Sequence, residues 1–338
     1  MLIAVNYHYV RPQFPSGGII GITPAAMRSQ LERLATAGAF VSADDVLAHV
    51  EERRPLPERA LLVTFDDGLR EHFEEAWPVL QQMGIPALFF VNTRPVAEHM
   101  VCTVHMIHML QAAFPAGALT EMLEAAAAAM DISMQPPLNP ESARLQYPWD
   151  TPATARLKYT LNFALSQTER RRLVAAVFED AFAGGQKAIS QQFYLDPGQI
   201  RSLSGAGCIG THGWDHLPIA KLTPDESRHM IEQSIQDLVE WTGRKPRSMS
   251  YPYGTVDTCT PAIAEMAGKL GIRFAFTVEM AGNDEVSLAN PYFLGRFDCN
   301  YLEGGKSATS QAATMFEQAA ASRWHGQPVA SVQGLQVG

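Results

Sequence analysis

The stretch Leu-Leu-Val-Thr-Phe-Asp-Asp-Gly, residues 61–68, decides the fold of this 338-residue chain. Its apolar and β-branched start has the length and β-propensity of a short buried strand. Asp66 and Asp67 therefore stand at the C-terminal end of that strand, where the loops of α/β folds converge and sites are built. Adjacent strand residues point to opposite faces, so both carboxylates reach one site only if the backbone bends, which Gly68 permits.

Two carboxylates that are forced together do not titrate alike. In one stable arrangement, the first binds a metal ion and the second keeps a free lone pair and acts as a general base. The alternative is that Asp-Asp-Gly is only an N-cap and turn before a helix that begins near Leu69.

A second strand end carries two histidines. Residues 207–210 predict another short apolar strand, and His212 and His216 follow it at the four-residue spacing of metal ligands. One Asp and two His give three protein ligands and leave a position open for water, as in hydrolytic rather than structural zinc sites. Cobalt or nickel would also fit such a ligand set.

A third strand end has the sequence Ser-Tyr-Pro-Tyr-Gly, residues 250–254. Its Pro and Gly shape a loop whose backbone N–H groups are able to face an oxyanion, although the same composition is common in ordinary turns.

These segments, Thr64–Gly68, His212–His216 and Tyr251–Gly254, resemble in their order the motifs of the polysaccharide deacetylase family. That family is also known as the NodB-homology or carbohydrate esterase 4 group. The resemblance implies an α/β fold, a distorted (β/α)7-type barrel, and an enzyme that removes an acyl group from an amino sugar. It implies that Asp67, His212 and His216 bind a divalent metal, most simply Zn²⁺. It also implies that Asp66 is the general base and that Tyr253 supplies the backbone N–H for the oxyanion. Tyr251, Pro252 and Trp214, which flank these groups, are the predicted substrate contacts.

The chain departs from the family pattern at two places. The third motif often begins with arginine where this chain has Met249 or Ser250, and the late Leu-x-His motif that supplies the general acid is missing. The last histidine, His325, lies in a Gly/Gln-rich tail. His8, which closes the first predicted strand, is the better candidate acid, and its alternative is a histidine that is merely hydrogen-bonded at a strand end. Arg296 ends a late strand and is predicted to orient Asp66, with a surface salt bridge as the alternative.

Composition limits the remaining choices. The chain is 46% hydrophobic and carries 26 basic against 35 acidic residues, so its net charge of −9 argues against nucleic acid or an anionic membrane as the main partner. The 4 cysteines form no Cys-x-x-Cys pair, and reduced thiols are consistent with a cytoplasmic protein. The N-terminus lacks the features of a signal peptide, and no apolar run is long enough for a membrane span.

Strands and helices alternate along most of the chain, which favours a parallel sheet or barrel. We expect one barrel over residues 1–322, a helical insertion at 94–199 and a loosely ordered tail at 323–338. The insertion leaves and re-enters between two strand ends, so it is predicted to form a lid, a homodimer surface or both. Within it, His105 and His108 lie at helical spacing and are interpreted as core or interface residues.

The predicted activity is hydrolysis of an N-acyl amino sugar or sugar nucleotide, a small cytoplasmic precursor of envelope polysaccharide or lipopolysaccharide. A lid would favour such a substrate over a long polymer because it turns an open groove into a pocket. Two alternatives remain: a catalytically weak or inactive sugar-binding protein that keeps its metal, and a deformylase or amidase that acts on another small amide.

Overall fold

Parallel strands form a nearly closed barrel in the first of two compact units. The computed structural model describes residues 1–15, 18–134, 140–146, 151–306 and 308–320. Of these, residues 1–13, 21–99 and 191–320 belong to the barrel unit, and the remainder belong to a helical unit. The strands are β1 (Leu2–Tyr7), β2 (Tyr9–Val10), β3 (Gly21–Ile22), β4 (Ala39–Phe40), β5 (Ala60–Phe65), β6 (Ala87–Val91), β7 (Ile209–Thr211), β8 (Ser248–Ser250), β9 (Phe274–Phe276) and β10 (Arg296–Asp298).

The strand order is β10-β1-β5-β6-β7-β8-β9, with β4 paired to the start of β5, while β2 and β3 form a separate pair. Every pairing within the eight-stranded sheet is parallel. A parallel bridge between Phe276 and Leu294 brings β9 to the segment just before β10, so the two ends of the sheet nearly meet. The structure thus confirms the predicted distorted barrel.

Helices and short 3₁₀ or π turns connect the strands. The α-helices are α1 (Pro24–Ala37), α2 (Ala43–Glu52), α3 (Trp77–Met83), α4 (Arg94–Glu98), α5 (Thr103–Ala113), α6 (Ala116–Ala129), α7 (Pro140–Gln146), α8 (Pro152–Tyr159), α9 (Gln167–Ala181), α10 (Gly185–Phe193), α11 (Pro197–Gly205), α12 (Pro224–Thr242), α13 (Pro261–Lys269), α14 (Glu285–Ala289) and α15 (Met315–Gln318). The other turns are the π-helices His72–Ala76 and Thr160–Ala164 and the 3₁₀ helices Ile219–Lys221, Pro291–Phe293 and Cys299–Tyr301.

Local sequence explains several of these boundaries. Thr23 caps α1 by accepting from the Ala26 N–H, and Pro24 occupies the first turn, where no N–H is needed. Thr223 and Glu226 form a capping box at the start of α12, and Gly243 ends that helix in a left-handed conformation.

Proline also shapes two irregular segments. The helical segment after β5 is not regular throughout, because its first part is a π-helix in which the Trp77 N–H bonds to His72 O and α3 follows it. Pro78 follows Trp77 and has no N–H to continue the regular α pattern, so a wider turn forms before it. Before β10, Pro291 starts a 3₁₀ turn, and strand pairing begins only at Arg296.

Residues of β1 and β5 are buried throughout, as is usual for parallel strands that are covered on both faces. The core of the barrel unit includes a cluster between α12, α13 and the β8 region, to which Ile231, Ile235, Ile263 and Tyr251 belong.

Most of the helical unit belongs to the predicted insertion, although residues 14, 15 and 18–20 are also part of it. Its helix α9 packs against α5 and α6. His105 of α5 is buried and His108 is partly buried, which agrees with their interpretation as packing residues. Of the predicted insertion at 94–199, the unit includes residues 100–190, whereas α4 and the residues after 190 belong to the barrel unit. A role as lid or dimer surface stays a prediction.

The last helix within the described residues is α15, which spans Met315–Gln318. The tail at 323–338, with His325, lies outside the described residues. Among the helices that are described, none is long and apolar enough to cross a membrane.

Candidate active site

The backbone bends where the two aspartates leave β5. Phe65 is the last paired residue of β5, opposite Tyr7 of β1, and the Asp66 N–H still donates to the Tyr7 carbonyl (3.1 Å). Asp67 (φ 81°) and Gly68 (φ 65°) then both adopt left-handed conformations. Such a conformation is uncommon for a residue other than glycine and is found disproportionately at functional sites. The bend gives both aspartates buried positions beside the histidines of the second motif.

Asp67, His212 and His216 come together as one group. The Asp67 Oδ1 atom lies 3.5 Å from the Nε2 atom of each histidine, and the potential ligand atoms all lie within 4.8 Å of one another. The two imidazole rings are 5.0 Å apart and nearly perpendicular. Three ligands converging from the ends of β5 and β7 match the donor set that the sequence predicted.

The protonation of His212 tests whether this group suits a cation. Its Nδ1 atom is 2.7 Å from the Ser250 carbonyl oxygen, which only accepts hydrogen bonds, so in the neutral ring Nδ1 carries the hydrogen. The Nε2 atom is then a lone pair that faces the Asp67 carboxylate. Two acceptors that face each other are suited to a shared cation, and a metal-binding histidine usually donates its other N–H in this way.

Asp66 is held by a buried arginine. Arg296 donates from Nη1 to Oδ1 (2.8 Å) and from Nη2 to Oδ2 (2.7 Å), and both side chains are nearly inaccessible to solvent. Burial by itself raises the pKa of Asp66, but the Arg296 charge and the Arg296 hydrogen bonds outweigh it and hold the pKa well below its usual range. Asp66 is therefore ionised, and because Arg296 is buried, the alternative of a surface salt bridge is wrong.

Two further groups hold this carboxylate, and no sequence pattern pointed to either of them. Asn6 Nδ2 and Ser250 Oγ each donate to Asp66 Oδ2 at 3.2 Å. Arg296 also donates to Ser250 Oγ (2.9 Å) and to Asn6 Oδ1 (2.9 Å). Ser250 stands in the third motif near the position where the family often has an arginine. In this chain the guanidinium that reaches Asp66 comes from Arg296 of β10 instead.

His8 lies at the edge of the same group. Its Nε2 atom is 3.9 Å from Asp66 Oδ2, and its Nδ1 atom is 3.7 Å from Asp298 Oδ2. Both separations exceed hydrogen-bond length, and the side chain is 36% exposed. His8 is thus near the predicted base and open to solvent, and Asp298 is a neighbour that the sequence reasoning missed.

The third motif divides into a part at the site and a part in the core. Tyr253 has a left-handed backbone (φ 64°), and its ring lies 4.9 Å from that of His216. Tyr251 is 1% exposed and belongs to the α12–α13 cluster, so the structure places its ring in the core and not at an open cleft. Pro252 is also buried, and a contact of either residue with substrate stays a prediction.

The loop between the two histidines is braced from β6 and α4. Asn92 Nδ2 donates to the His212 carbonyl (2.6 Å), and Arg94 Nη1 donates to Asp215 Oδ2 (2.7 Å). The Arg94 guanidinium also lies over the Trp214 ring, 4.7 Å from its centroid. Burial raises the pKa of Asp215, and the Arg94 charge opposes this shift. Trp214 is partly exposed, and its contact with substrate stays a prediction.

Comparison with known proteins places these features in a family. The family model described as polysaccharide deacetylase matches residues 53–132 and 170–275. The poly-beta-1,6-N-acetyl-D-glucosamine N-deacetylase of Escherichia coli K12 is 28% identical over 88 residues, which are 26% of this chain and 13% of that protein. The Staphylococcus epidermidis enzyme of the same name is 27% identical over 109 residues, which are 28% of this chain and 37% of that protein. The chain therefore matches only a minor part of the length of these relatives.

Solved structures agree with the fold. The Streptococcus pyogenes deacetylase PplD, in complex with acetate, has a TM-score of 0.54 at 12% identity, with 88% of this chain and 91% of that chain covered. IcaB from Ammonifex degensii has a TM-score of 0.52 at 21% identity, with 88% and 90% covered. At these identities the likeness concerns the fold alone, and the family is shown by the sequence model, which matches more than half of the chain. The chain belongs to the polysaccharide deacetylase family.

Proposed function

We propose that this protein is a metal-dependent hydrolase that removes an N-acetyl or other N-acyl group from an amino sugar. The observation that carries the proposal is the division of labour between the two adjacent aspartates. Asp67 lies 3.5 Å from the Nε2 atoms of both histidines, whereas Asp66, the adjacent residue, is kept ionised by Arg296 and is proposed to accept a proton at the same site. A ligand and a base side by side are what amide hydrolysis with an activated water requires.

Asp67, His212 and His216 would hold one divalent ion, with Zn²⁺ as the first choice and Co²⁺ or Ni²⁺ as alternatives. When bound, the ion would supply Lewis-acid activation of the water and of the amide carbonyl.

The protein's own residues would handle the charges and protons. Asp66 accepts the proton of the attacking water, and Arg296 fixes the orientation of its carboxylate. The Tyr253 N–H stabilises the oxyanion that develops on the former carbonyl oxygen. His8 then donates a proton to the leaving amine, and its exposed side chain is able to regain that proton from solvent.

The alternative of a sugar-binding protein without turnover is less well supported. Binding of a metal and a sugar needs only the ligand group, whereas in this chain three buried residues, Asn6, Ser250 and Arg296, also donate four hydrogen bonds to Asp66. A deformylase or amidase would use the same residues, so only the substrate distinguishes it from a sugar deacetylase.

Two hypotheses concern the size of the substrate. We propose that the substrate is a small cytoplasmic molecule, either a sugar nucleotide or a precursor of envelope polysaccharide or lipopolysaccharide. This proposal rests on the expectation that the helical insertion acts as a lid or a homodimer surface. The names of the E. coli and S. epidermidis relatives instead favour a polymer of N-acetylglucosamine.

One assay series tests these proposals. Purified protein is depleted with a chelator, reloaded with Zn²⁺ and incubated with N-acetylated sugar nucleotides and with N-acetylglucosamine oligomers of increasing length, and acetate release is measured. We expect release that depends on the metal and is highest on a small substrate. Full activity after chelation would refute the metal role, and rates that rise with chain length, with none on monosaccharide derivatives, would refute the small substrate.

A further inference from the structure

His72 is a buried histidine that the proposed mechanism does not use. It is 0% exposed and is the first residue of the π-helix that follows the two aspartates. Its ring packs 5.2 Å from Phe65 and 6.0 Å from Phe89, measured between centroids. Its Nε2 atom lies 2.6 Å from the backbone carbonyl oxygen of His8. A side chain from the segment that follows β5 and begins with Asp66, here called the Asp66 segment, therefore contacts the backbone of His8, the predicted proton donor.

The chemistry of this contact fixes the state of the His72 ring. A carbonyl oxygen only accepts, so Nε2 is protonated and donates to it. Burial lowers the pKa of His72 to about 4, against an opposing effect of the hydrogen bond to His8, so the ring is neutral near pH 7. Nδ1 is then the unprotonated nitrogen, and it has no hydrogen-bond partner among the described residues. One stable tautomer follows, with its donor aimed at His8.

His8 needs such support because it lies just outside the sheet. The pairing of β1 with β5 ends at Tyr7, and the pairing with β10 ends at Asn6. The next residues form β2, which pairs with β3. They are also held by Glu71, which accepts from the Val10 N–H (2.7 Å) and from Arg11 Nε. His8 itself belongs to neither pairing, and the chain around it is held by β1 before it, by β2 after it and by the side chains of Glu71 and His72.

We propose, on the basis of the function proposed above, that His72 is a positioning residue that keeps the His8 side chain within reach of Asp66. The segment that bears the base would then also hold the proton donor, so that the two groups keep a constant separation. A displacement on the order of 1 Å is enough to lower a rate about 100-fold, which gives the hydrogen bond a catalytic consequence beyond its contribution to stability.

The test compares His72→Leu, which removes the donor, with His72→Gln, which keeps a donor at similar reach. His49→Leu is a matched control. His49 lies on α2 and is also buried, and its Nδ1 atom is 2.9 Å from the backbone carbonyl oxygen of Arg54. Each variant is made in the wild-type and His8→Ala backgrounds, and kcat, KM, metal content and melting temperature are measured.

We expect His72→Leu to lower kcat by about 10- to 100-fold with metal content unchanged, His72→Gln to restore most of it, and His49→Leu to leave kcat at the wild-type value. In the His8→Ala background, His72→Leu should have no further effect on kcat. If His72→Leu lowered kcat by the same factor in both backgrounds, or if His49→Leu lowered kcat equally, the role of His72 would be merely structural and the proposal would be overturned.

Two measurements keep the inference separate from the proposed function. If His8→Ala has wild-type kcat, the assignment of His8 as proton donor fails, and with it the catalytic part of this inference. The hydrogen bond is tested by itself in the wild-type protein, where nitrogen NMR should show the His72 proton on Nε2. This measurement also serves if His72→Leu does not fold, and a proton on Nδ1 would overturn the proposal.

Discussion

The ligand group and the proton-handling group of the site are built in different ways. Asp67, His212 and His216 come from two short motifs, each complete within six residues of sequence. The groups around Asp66 come from β1, β8 and β10, and only closure of the barrel brings β10 beside β1. Candidate metal ligands can therefore be recognised locally, whereas the surroundings of the proposed base depend on strands that are distant in sequence.

This difference predicts separable effects. Substitutions in the ligand group should remove metal and activity together, and substitutions around Asp66 should change rate, stability or pH dependence while metal is retained.

The largest effect is expected for His212→Ala. Loss of one of three protein ligands should abolish stoichiometric metal binding, and activity should fall to background with it. Metal content measured by elemental analysis, together with acetate release, checks this prediction. His229→Ala is the control, because His229 is exposed and is expected to leave metal content unchanged. A His212→Ala protein that keeps one metal per chain would refute the ligand assignment.

Asp66→Asn should separate the two groups most clearly. It keeps the size of the side chain and removes the base, so a rate loss on the order of 10² to 10⁴ is expected while the metal stays bound. The comparison of kcat with metal content is the measurement. Turnover at the wild-type rate would mean that another group acts as the base.

The candidate ligand group could be predicted from the sequence more completely than the groups around Asp66, and the reason is physical. The apolar run before Asp66 and the spacing of His212 and His216 reflect local backbone geometry, so the strand ends and a candidate ligand group could be predicted. Asn6 looks like any polar residue at a strand end, and its own neighbourhood does not reveal that it stands opposite Thr64 in the pairing of β1 with β5. Its contact with Asp66 depends on that register, and its contact with Arg296 depends on the pairing of β1 with β10.

Other features were hidden by tertiary packing. Tyr251 was predicted at the substrate because its motif borders the site, yet its position on the chain directs the ring into the α12–α13 cluster. The π-turn that begins at His72 depends on a missing N–H at Pro78, six residues further along the sequence, and a helical pattern alone does not show it.

Arg296→Met tests how the base is held. Removing one member of a buried ion pair leaves the Asp66 charge uncompensated, and breaking such pairs typically destabilises a protein by about 3–5 kcal/mol. We expect a lower melting temperature and reduced kcat with bound metal retained. A melting temperature equal to that of the wild type would show that Arg296 does not stabilise the charged form of Asp66.

The same variant should change the dependence of stability on pH. The pKa of Asp66 is held below the value of about 3.9 for an unfolded chain, so as pH falls the unfolded state binds the proton first and the contribution of the pair to stability is lost. That contribution is fully present above about pH 5. Urea unfolding of both proteins in chelator should therefore show a large difference near pH 7 that shrinks toward pH 3, and a difference independent of pH would contradict the assignment.

Asp298→Asn should have the smallest effect, because the pair that it forms with His8 is exposed. The Asp298 carboxylate lies 3.7 Å from His8 Nδ1, and its side chain is 32% exposed. Solvent screens such a pair, and exposed ion pairs are typically worth no more than about 1 kcal/mol, so a reduction of kcat of about 5-fold at most is expected. Metal content and melting temperature should stay at wild-type values. Loss of metal in Asp298→Asn would show that the ligand group and the proton-handling group are not separable, whereas a kcat loss as large as that of Asp66→Asn would give Asp298 a direct part in proton transfer.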